Sequence, residues 1–228
     1  MESTGSLQGI QKGSQEETLQ QLFNEQHSFY TIIKRLFDII FSSILLIILS
    51  PVFVFTAIMI KLDSPGSIFY KSIRIGSNCK YFYMIKFRSM CQDADEKLKH
   101  LSKKQLEEYN KNIKLKDDIR ITRVGKIIRR ASIDELPQLI NVIKGDMSLV
   151  GPRPPLLIEE DLFGDRLKKI MAVRPRITGP WQVNGRNDIE FNKRIILNED
   201  YVDHYGIKKD IEILLKTVSV VLSGKGAA

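Results

Sequence analysis

Residues 131–141 read ASIDELPQLIN, and the organisation of the chain follows outward from this segment. Its adjacent carboxylates, Asp134 and Glu135, open an apolar run with helical spacing. If Ser132 were the N-cap of a capping box, Pro137 would fall inside the helix and remove a backbone hydrogen bond. If Asp134 is the N-cap, Pro137 falls at N3, where the N–H has no helical partner anyway. We favour this second frame, which predicts ionised carboxylates at the positive end of the helix dipole.

An ionised aspartate at a helix start has two ordinary roles. Asp134 can simply cap the helix, or it can bind a divalent metal or attack phosphorus. The preceding segment, RITRVGKIIRR at residues 120–130, places isoleucine and valine at helical spacing and basic residues on the other face. That basic face suits a substrate phosphate or acidic lipid head groups, and a solvated charged face fits the same pattern.

The composition favours an anionic partner and a reducing compartment. The 228 residues are enough for one domain with a hydrophobic core, and their net charge is +8. Residues 1–31 carry four glutamates and one lysine, so this polar tail is acidic and the remainder has a net charge of +11. The two cysteines, Cys79 and Cys91, lack the spacing of a zinc site or a disulfide framework.

The longest apolar run extends from Ile39 to Ile60 without a charged residue. About 20 such residues cross a bilayer as a helix, so the run predicts insertion into a membrane. Pro51 should kink this helix because it removes the bond to the carbonyl of Ile47, and the Ser50 hydroxyl can satisfy part of the freed backbone. The flanking charges allow the acidic tail to lie outside and the basic body in the cytoplasm, but they do not separate a spanning helix from a re-entrant hairpin.

Short strands and helices follow the apolar run. Residues 68–71 and 80–85 predict two strands joined by a turn, and residues 147–150 predict a third. Gly145 predicts the end of the helix that follows the two carboxylates. The other predicted helices lie at residues 92–116, 189–205 and 211–222. The last of these is amphipathic, which fits either an interfacial helix or simple packing.

Two loops rich in glycine, proline and arginine are candidates for anion binding. In GPRPP, residues 151–155, prolines on both sides hold Arg153 in a rigid turn that suits a phosphate or carboxylate. In RPRITGPWQVNGRN, residues 174–187, a base can stack on Trp181 while Arg186 meets a phosphate. The alternatives are a plain surface turn around Arg153 and a role for Trp181 in the core.

Several motifs in order carry a resemblance to a known family. They are the apolar segment broken at Ser50–Pro51, KFRSM at residues 86–90, SIDELPQ at residues 132–138, GDMSLVGPRP at residues 145–154 and ITGPWQVNGR at residues 177–186. Over about residues 32–228 the chain resembles the bacterial sugar transferases. Within them it resembles the small monotopic phosphoglycosyl transferases, which load polyprenol phosphate.

The resemblance implies a two-step transfer. Asp134 would attack the β-phosphate of a UDP-sugar, release UMP and hold the sugar phosphate covalently until undecaprenyl phosphate takes it. It also implies Mg²⁺ with Asp134 as a ligand, and Glu135 as the second catalytic carboxylate. The implied substrate- and phosphate-binding residues are Lys86, Arg88, Arg153, Trp181, Gln182 and Arg186.

The resemblance also implies the architecture and location. The expected fold is α/β, mostly helical with a few short strands. Residues 1–31 form the polar tail, residues 32–62 a re-entrant membrane helix broken at Ser50 and Pro51, and residues 63–228 a compact catalytic domain with interfacial amphipathic helices. The protein would be monotopic, in contact with phospholipid at the cytoplasmic face of the bacterial inner membrane.

One position departs from the family pattern, and other function classes stay open. Family members often have glycine where this chain has Arg176, so the turn is built differently here or Arg176 adds a phosphate contact. A non-catalytic, membrane-anchored basic adaptor is the alternative function, and it would survive replacement of Asp134 by Asn. A nucleic-acid-binding module would explain the charge, but the apolar run argues against it. No motif specifies the sugar, and a homo-oligomer stays open.

Overall fold

The computed structural model describes residues 29–112, 115, 118–185 and 189–223. The predicted tail at residues 1–31 therefore lies almost entirely outside the described residues. The α-helices are α1 (Phe29–Ile48), α2 (Ser50–Asp63), α3 (Ala94–Lys99), α4 (Lys103–Asn112), α5 (Arg123–Arg130), α6 (Gln138–Lys144), α7 (Glu160–Phe163), α8 (Arg166–Ile170), α9 (Pro180–Val183), α10 (Phe191–Asp203) and α11 (Ile207–Ser223). The strands are β1 (Phe69–Ile75), β2 (Tyr81–Phe87), β3 (Ser148–Val150) and β4 (Arg176–Thr178). This mostly helical α/β composition confirms the predicted class.

The break in the apolar run lies where the sequence predicts it. Helix α1 ends at Ile48, Leu49 is a turn, and Pro51 sits in the first turn of α2, where no helical N–H is required. The hydroxyl of Ser50 donates a hydrogen bond to the carbonyl of Ile47 at 2.8 Å, which is the carbonyl that Pro51 cannot reach. The two helices meet at a bend of 61°.

No single helix among the described residues is both long enough and apolar enough to cross a membrane. The bent pair α1 and α2 passes that test together, on length and composition. Such a pair fits a broken span or a re-entrant loop.

The strands form two small sheets. β1 and β2 are antiparallel, with Tyr70 opposite Lys86 and Arg74 opposite Phe82, so these four side chains share one face of the hairpin. β3 pairs in parallel with β4, with Ser148 opposite Arg176. The hairpin and β3 confirm the sequence prediction, whereas β4 is absent from it. β4 has only three residues, which follow Pro175 and precede Gly179, and so short a stretch has no strand periodicity of its own.

The predicted helices are confirmed with different ends. The predicted surface helix at residues 92–116 is two helices, α3 and α4, because the chain leaves helical geometry at residues 100–102. Helix α5 begins only at Arg123, where Thr122 caps it by accepting from the N–H of Gly125. Gly145 ends α6 in the left-handed region at φ 94°, as predicted.

Polar contacts fix α1 on the rest of the chain. Asp38 is 2% exposed, and its carboxylate accepts a hydrogen bond from the N–H of Leu149 at 3.1 Å. Arg35 donates to the carbonyls of Val142 and Ile143, which the end of α6 leaves without helical partners. These contacts hold the N-terminal helix beside the strand and helix that follow Asp134.

Apolar clusters place the helix pair close to the same region. Ile60 of α2 packs with Phe87 of β2 and with Val124 and Ile128 of α5. Asp63, at the end of α2, accepts from the N–H of Val124 at 3.0 Å. Both elements that flank the Asp134 turn are therefore packed on the bent helix pair.

Asn141 joins the hairpin to α6, and its loss should destabilise the fold. Its fully buried side-chain oxygen accepts from the N–H of Ile85 at 2.9 Å, and its amide nitrogen donates to the carbonyl of Tyr83 at 2.8 Å. Replacement by Ala leaves both backbone groups unpaired, so we expect Asn141→Ala to lower the free energy of unfolding by about 2–4 kcal/mol. Thermal unfolding in detergent, with the exposed Asn192→Ala as control, measures this effect. An unchanged melting temperature would contradict this role.

Candidate active site

The Asp134 and Glu135 carboxylates lie in a tight turn between α5 and α6. Ser132 adopts a left-handed conformation with φ 57°, and Ile133–Glu135 form one 3-10 turn. Pro137 directly precedes α6, which begins at Gln138. The favoured frame, with Asp134 as N-cap and Pro137 at N3, is therefore wrong, and Ser132 makes no capping hydrogen bond in the other frame either. The left-handed serine reorients the chain, so the carboxylates precede the helix as a separate turn.

The turn buries Asp134 in a mixed electrostatic environment. The residue is only 8% exposed. Burial raises the pKa of the Asp134 carboxyl to about 6; nearby Lys86 and Arg129 oppose the rise, and the adjacent Glu135 carboxylate adds to it. Near pH 7 the carboxylate is ionised yet poorly solvated, which is the state expected of a nucleophile.

Glu135 behaves differently because Lys86 pairs with it directly. The ammonium of Lys86 lies 2.7 Å from the Glu135 carboxylate. Burial opposes ionisation of Glu135, but Lys86, with Arg153 and Arg74 farther off, holds its pKa below the usual value. The pKa values of these neighbouring carboxyls are therefore shifted in opposite directions, that of Asp134 upward and that of Glu135 downward, and the charge of Lys86 lowers both.

Arg129, in the last turn of α5, is the second cation beside Asp134. Its Nε donates to the hydroxyl of Ser89 at 2.7 Å, which orients the guanidinium. Burial lowers the pKa of Arg129, and the nearby Asp134 carboxylate partly restores it. The basic segment before the turn thus contributes one residue to the site, whereas Lys126 and Ile127 remain exposed.

Arginines on neighbouring elements extend the positive field. Arg153 pairs with Glu159, its Nη1 lying 3.0 Å from both carboxylate oxygens. Arg74 of β1 reaches the same loop, and burial followed by the repulsion of Arg153 lowers its pKa to about 10. Sequence reasoning missed Arg74. The signal was present, since strand alternation with the hairpin register puts Arg74 on the face of Lys86.

The other predicted binding residues have distinct surroundings. Trp181 is 7% exposed with the guanidinium of Arg194 4.9 Å from its ring centre, which matches the core role, and base stacking there stays a prediction. Gln182 has a buried side-chain oxygen with no partner among the described residues. Arg88 is 8% exposed and donates to the carbonyls of Ser64 and Pro65. Arg186 lies outside the described residues.

The arrangement suits attack on a phosphorus atom. Asp134 supplies an ionised, buried oxygen, and Lys86 and Arg129 neutralise charge beside it. Arg74 and Arg153 offer further cations on the side of Glu135. Fixed cations around a carboxylate are what a reaction between two anions requires.

Comparisons with known proteins match most of the chain. Residues 29–224 match the model of the family described as bacterial sugar transferase. The chain is 43% identical over 198 residues to the undecaprenyl-phosphate galactose phosphotransferase of Salmonella typhimurium, covering 86% of this chain and 41% of that protein. It is 39% identical over 197 residues to the exopolysaccharide production protein ExoY of Sinorhizobium fredii, covering 85% and 87%. An uncharacterized sugar transferase of Haemophilus influenzae is 44% identical over 199 residues, covering 86% and 42%.

The chain belongs to the bacterial sugar transferase family. It spans less than half the length of the Salmonella and Haemophilus proteins and most of the length of ExoY. The matched region contains both the helix pair and the complete Asp134 site.

Proposed function

We propose that this protein transfers a sugar phosphate from a UDP-sugar to undecaprenyl phosphate. The observation that carries the proposal is the buried Asp134 with a raised pKa, set between Lys86 and Arg129. Relatives named as undecaprenyl-phosphate galactose phosphotransferase and as UDP-galactose-lipid carrier transferase support the two substrates. The sugar itself is not specified, since a related protein is named for N-acetylgalactosamine.

The chemistry proceeds through two exchanges of one P–O bond for another. In the first, an Asp134 oxygen attacks the β-phosphorus of the UDP-sugar, the bond to the bridging oxygen breaks, and UMP leaves with that oxygen. In the second, a phosphate oxygen of undecaprenyl phosphate attacks the same phosphorus, and the bond to Asp134 breaks. The Asp134 carboxylate is regenerated, and neither step requires a proton at the nucleophile.

The flanking residues have separate tasks. Lys86 and Arg129 stabilise charge around the attacking carboxylate. We assign Arg153 and Arg74, the further cations that act on Glu135, to binding of the diphosphate or the lipid phosphate. Glu135 keeps the Lys86 ammonium in place through their 2.7 Å contact. We infer that Glu135 assists by this positioning and remains ionised throughout.

Mg²⁺ would be held at this site by one carboxylate together with the substrate phosphates. The part of the chain that the structure describes has no group of three or more His, Cys, Asp or Glu side chains poised to hold a metal. Mg²⁺ is commonly bound by one or two carboxylates with substrate phosphates and water, and Asp134 is the available carboxylate because Glu135 pairs with Lys86. When bound, Mg²⁺ would neutralise charge on the diphosphate.

The exposed apolar face of α1 and α2 supports a membrane location. Ile44 and Ile47 on α1 and Val54, Phe55 and Ile58 on α2 are all exposed. Water would surround these side chains in the absence of lipid, at a cost of about 25 cal/mol for each Å². We infer a re-entrant, monotopic insertion that keeps the catalytic domain on the cytoplasmic face, where UDP-sugar and lipid phosphate meet.

A charge on that face should weaken membrane association. Replacing Phe55 by Lys puts an ammonium among exposed apolar side chains, at a cost of roughly 2–3 kcal/mol in lipid. We expect the fraction that floats with phospholipid vesicles to fall clearly. The exposed Asn192→Lys adds the same charge on α10 and should float like the parent. Equal flotation of both variants would contradict the inserted helix pair.

UMP release tests the proposed function. The protein in nanodiscs is incubated with Mg²⁺, undecaprenyl phosphate and a panel of UDP-sugars, and UMP is quantified. UMP release with one sugar, accompanied by a lipid-linked sugar diphosphate, supports the transferase and identifies its substrate. If folded, membrane-bound protein releases UMP from none of the UDP-sugars, the proposal is contradicted and the basic adaptor is favoured.

A further inference from the structure

Arg176 is a buried arginine whose guanidinium has no hydrogen-bond partner among the described residues. It opens β4, and its backbone N–H donates to the carbonyl of Pro152 at 3.1 Å. The residue is 1% exposed, and none of the described residues accepts a hydrogen bond from its Nε, Nη1 or Nη2. A buried guanidinium without acceptors is strongly unfavourable, so such groups are rare unless a ligand completes them.

Two glycines shape the space around this guanidinium. A Cβ on Gly179 would collide with Nε and Cζ of Arg176 and with the carbonyl of Gly151. A Cβ on Gly151 would lie 2.7 Å from the carbonyl oxygen of Arg174, so the backbone approaches closely there too. The slot that holds the guanidinium therefore depends on the absence of a side chain at Gly179, and Gly151 allows the backbone beside it to approach Arg174 closely.

Arg176 lies beside the loop that carries Arg153, because its backbone N–H bonds to the carbonyl of Pro152, the residue before Arg153. Burial is the largest cause of the lowered pKa of Arg176. Arg153 adds to the lowering, whereas Tyr201 and Glu135 oppose it. Two guanidiniums that repel each other beside the catalytic turn create a position at which an anion is the missing partner.

We propose that Arg176 binds a phosphate group of the substrates through its Nη atoms. A guanidinium offers paired donors that match two phosphate oxygens, and Arg153 would face the same group from the neighbouring loop. The inference rests on the proposed function and names a residue for it. The phosphate belongs either to the UDP-sugar or to undecaprenyl phosphate, and two binding measurements separate these sources.

Stability and affinity should move in opposite directions when Arg176 is replaced. Arg176→Met removes an unpaired buried charge, so the ligand-free melting temperature is expected to stay the same or rise. Arg176→Lys and Arg176→Met should weaken binding of one substrate by about 10- to 100-fold. The exposed Arg166→Met, which loses only a 3.7 Å contact with Glu199, is the matched control.

Calorimetric titration of nanodisc-embedded protein with UDP, and the KM for undecaprenyl phosphate, provide the two arms. Weaker UDP binding assigns the donor phosphate, and a raised KM for the lipid with unchanged UDP binding assigns the acceptor phosphate. Unchanged values in both arms, in variants as stable as the parent, overturn the inference while leaving the transferase reaction intact. If the unsubstituted protein neither binds UDP nor releases UMP, the proposed function itself is wrong.

A second variant covers the case in which substitutions at Arg176 disturb folding. Gly179→Ala displaces the guanidinium while retaining its charge, and because its Cβ also meets the carbonyl of Gly151, its melting temperature is measured beside its affinity. It should weaken the same substrate as Arg176→Lys does. Added methylguanidine should restore binding in Arg176→Gly, because the slot has the shape of that ion. Loss of stability in both variants without any selective change of affinity would show a purely structural arginine.

Discussion

Replacing Asp134 by Asn should abolish UMP release. The amide has nearly the same shape as the carboxylate but cannot form the bond to phosphorus, so the first step is lost. We expect a fall on the order of 10³-fold or more, as is usual when a nucleophile is removed. The measurement is UMP release at saturating UDP-sugar with parent and variant at equal folded concentration.

Two controls separate loss of the nucleophile from loss of the fold. Asp161→Asn makes the same chemical change at an exposed position of α7 and should retain full activity. The melting temperature of Asp134→Asn should not fall, because the substitution removes a poorly solvated buried charge. An Asp134→Asn variant with parental activity would place the nucleophile at another residue.

Replacing Lys86 by Met should both slow the reaction and move its pH dependence. The Lys86 ammonium is the strongest of the charges that hold the pKa of Asp134 down, at about 6, against burial. Activity in the parent requires the ionised carboxylate, so it should be present above about pH 6 and fall as the pH drops through that value. Without Lys86 the pKa of Asp134 rises, and the acidic limb of the profile moves to higher pH.

The rate effect of Lys86→Met has a separate cause. The lysine also stabilises charge as the carboxylate and the diphosphate approach, and we expect a loss of about 10²-fold or more at high pH. Lys71→Met, on the exposed side of the same hairpin, should change neither rate nor pH profile. A slower Lys86→Met enzyme with an unmoved acidic limb would show that Lys86 does not control ionisation of the nucleophile.

Local chemistry explains which parts of the fold are predictable from sequence. The break at Ser50 and Pro51 has a local cause. Pro51 has no N–H to donate to the carbonyl of Ile47, four residues earlier, and the hydroxyl of Ser50 donates to that carbonyl instead. Gly145 ends its helix for an equally local reason. The hairpin was predictable because β1 and β2 each carry their own aromatic and β-branched pattern.

Non-local contacts explain the rest. β4 exists because it pairs with β3 across more than twenty residues, and its own sequence carries no strand signal. The cap frame at Asp134 was wrong because Ser132 adopts a left-handed conformation, and the turn after it contacts α5 and the hairpin, which the local sequence does not show. The buried Asp38 stood in the sequence merely as an acid beside an apolar run, since its partner, Leu149, lies 111 residues away.

The candidate site shows the same division. Asp134, Glu135 and Lys86 were identified from motifs, and the fold brings them together. Arg74 was missed because it belongs to no motif and joins the site only through the hairpin register. Arg176 was noticed as a departure, but its complete burial and its lack of acceptors emerge only in three dimensions.

The Asp134 carboxylate should carry the sugar phosphate as a covalent adduct, and mass spectrometry tests this most directly. The protein is incubated with the responsive UDP-sugar without any lipid acceptor, digested with trypsin and analysed. The expected product is one sugar phosphate on the peptide spanning residues 131–144, in which Asp134 and Glu135 are the acidic residues. The adduct should persist in Glu135→Gln and disappear when undecaprenyl phosphate is added. UMP release that always requires the lipid, with no adduct at residue 134, would contradict the covalent mechanism and indicate direct transfer between the two substrates.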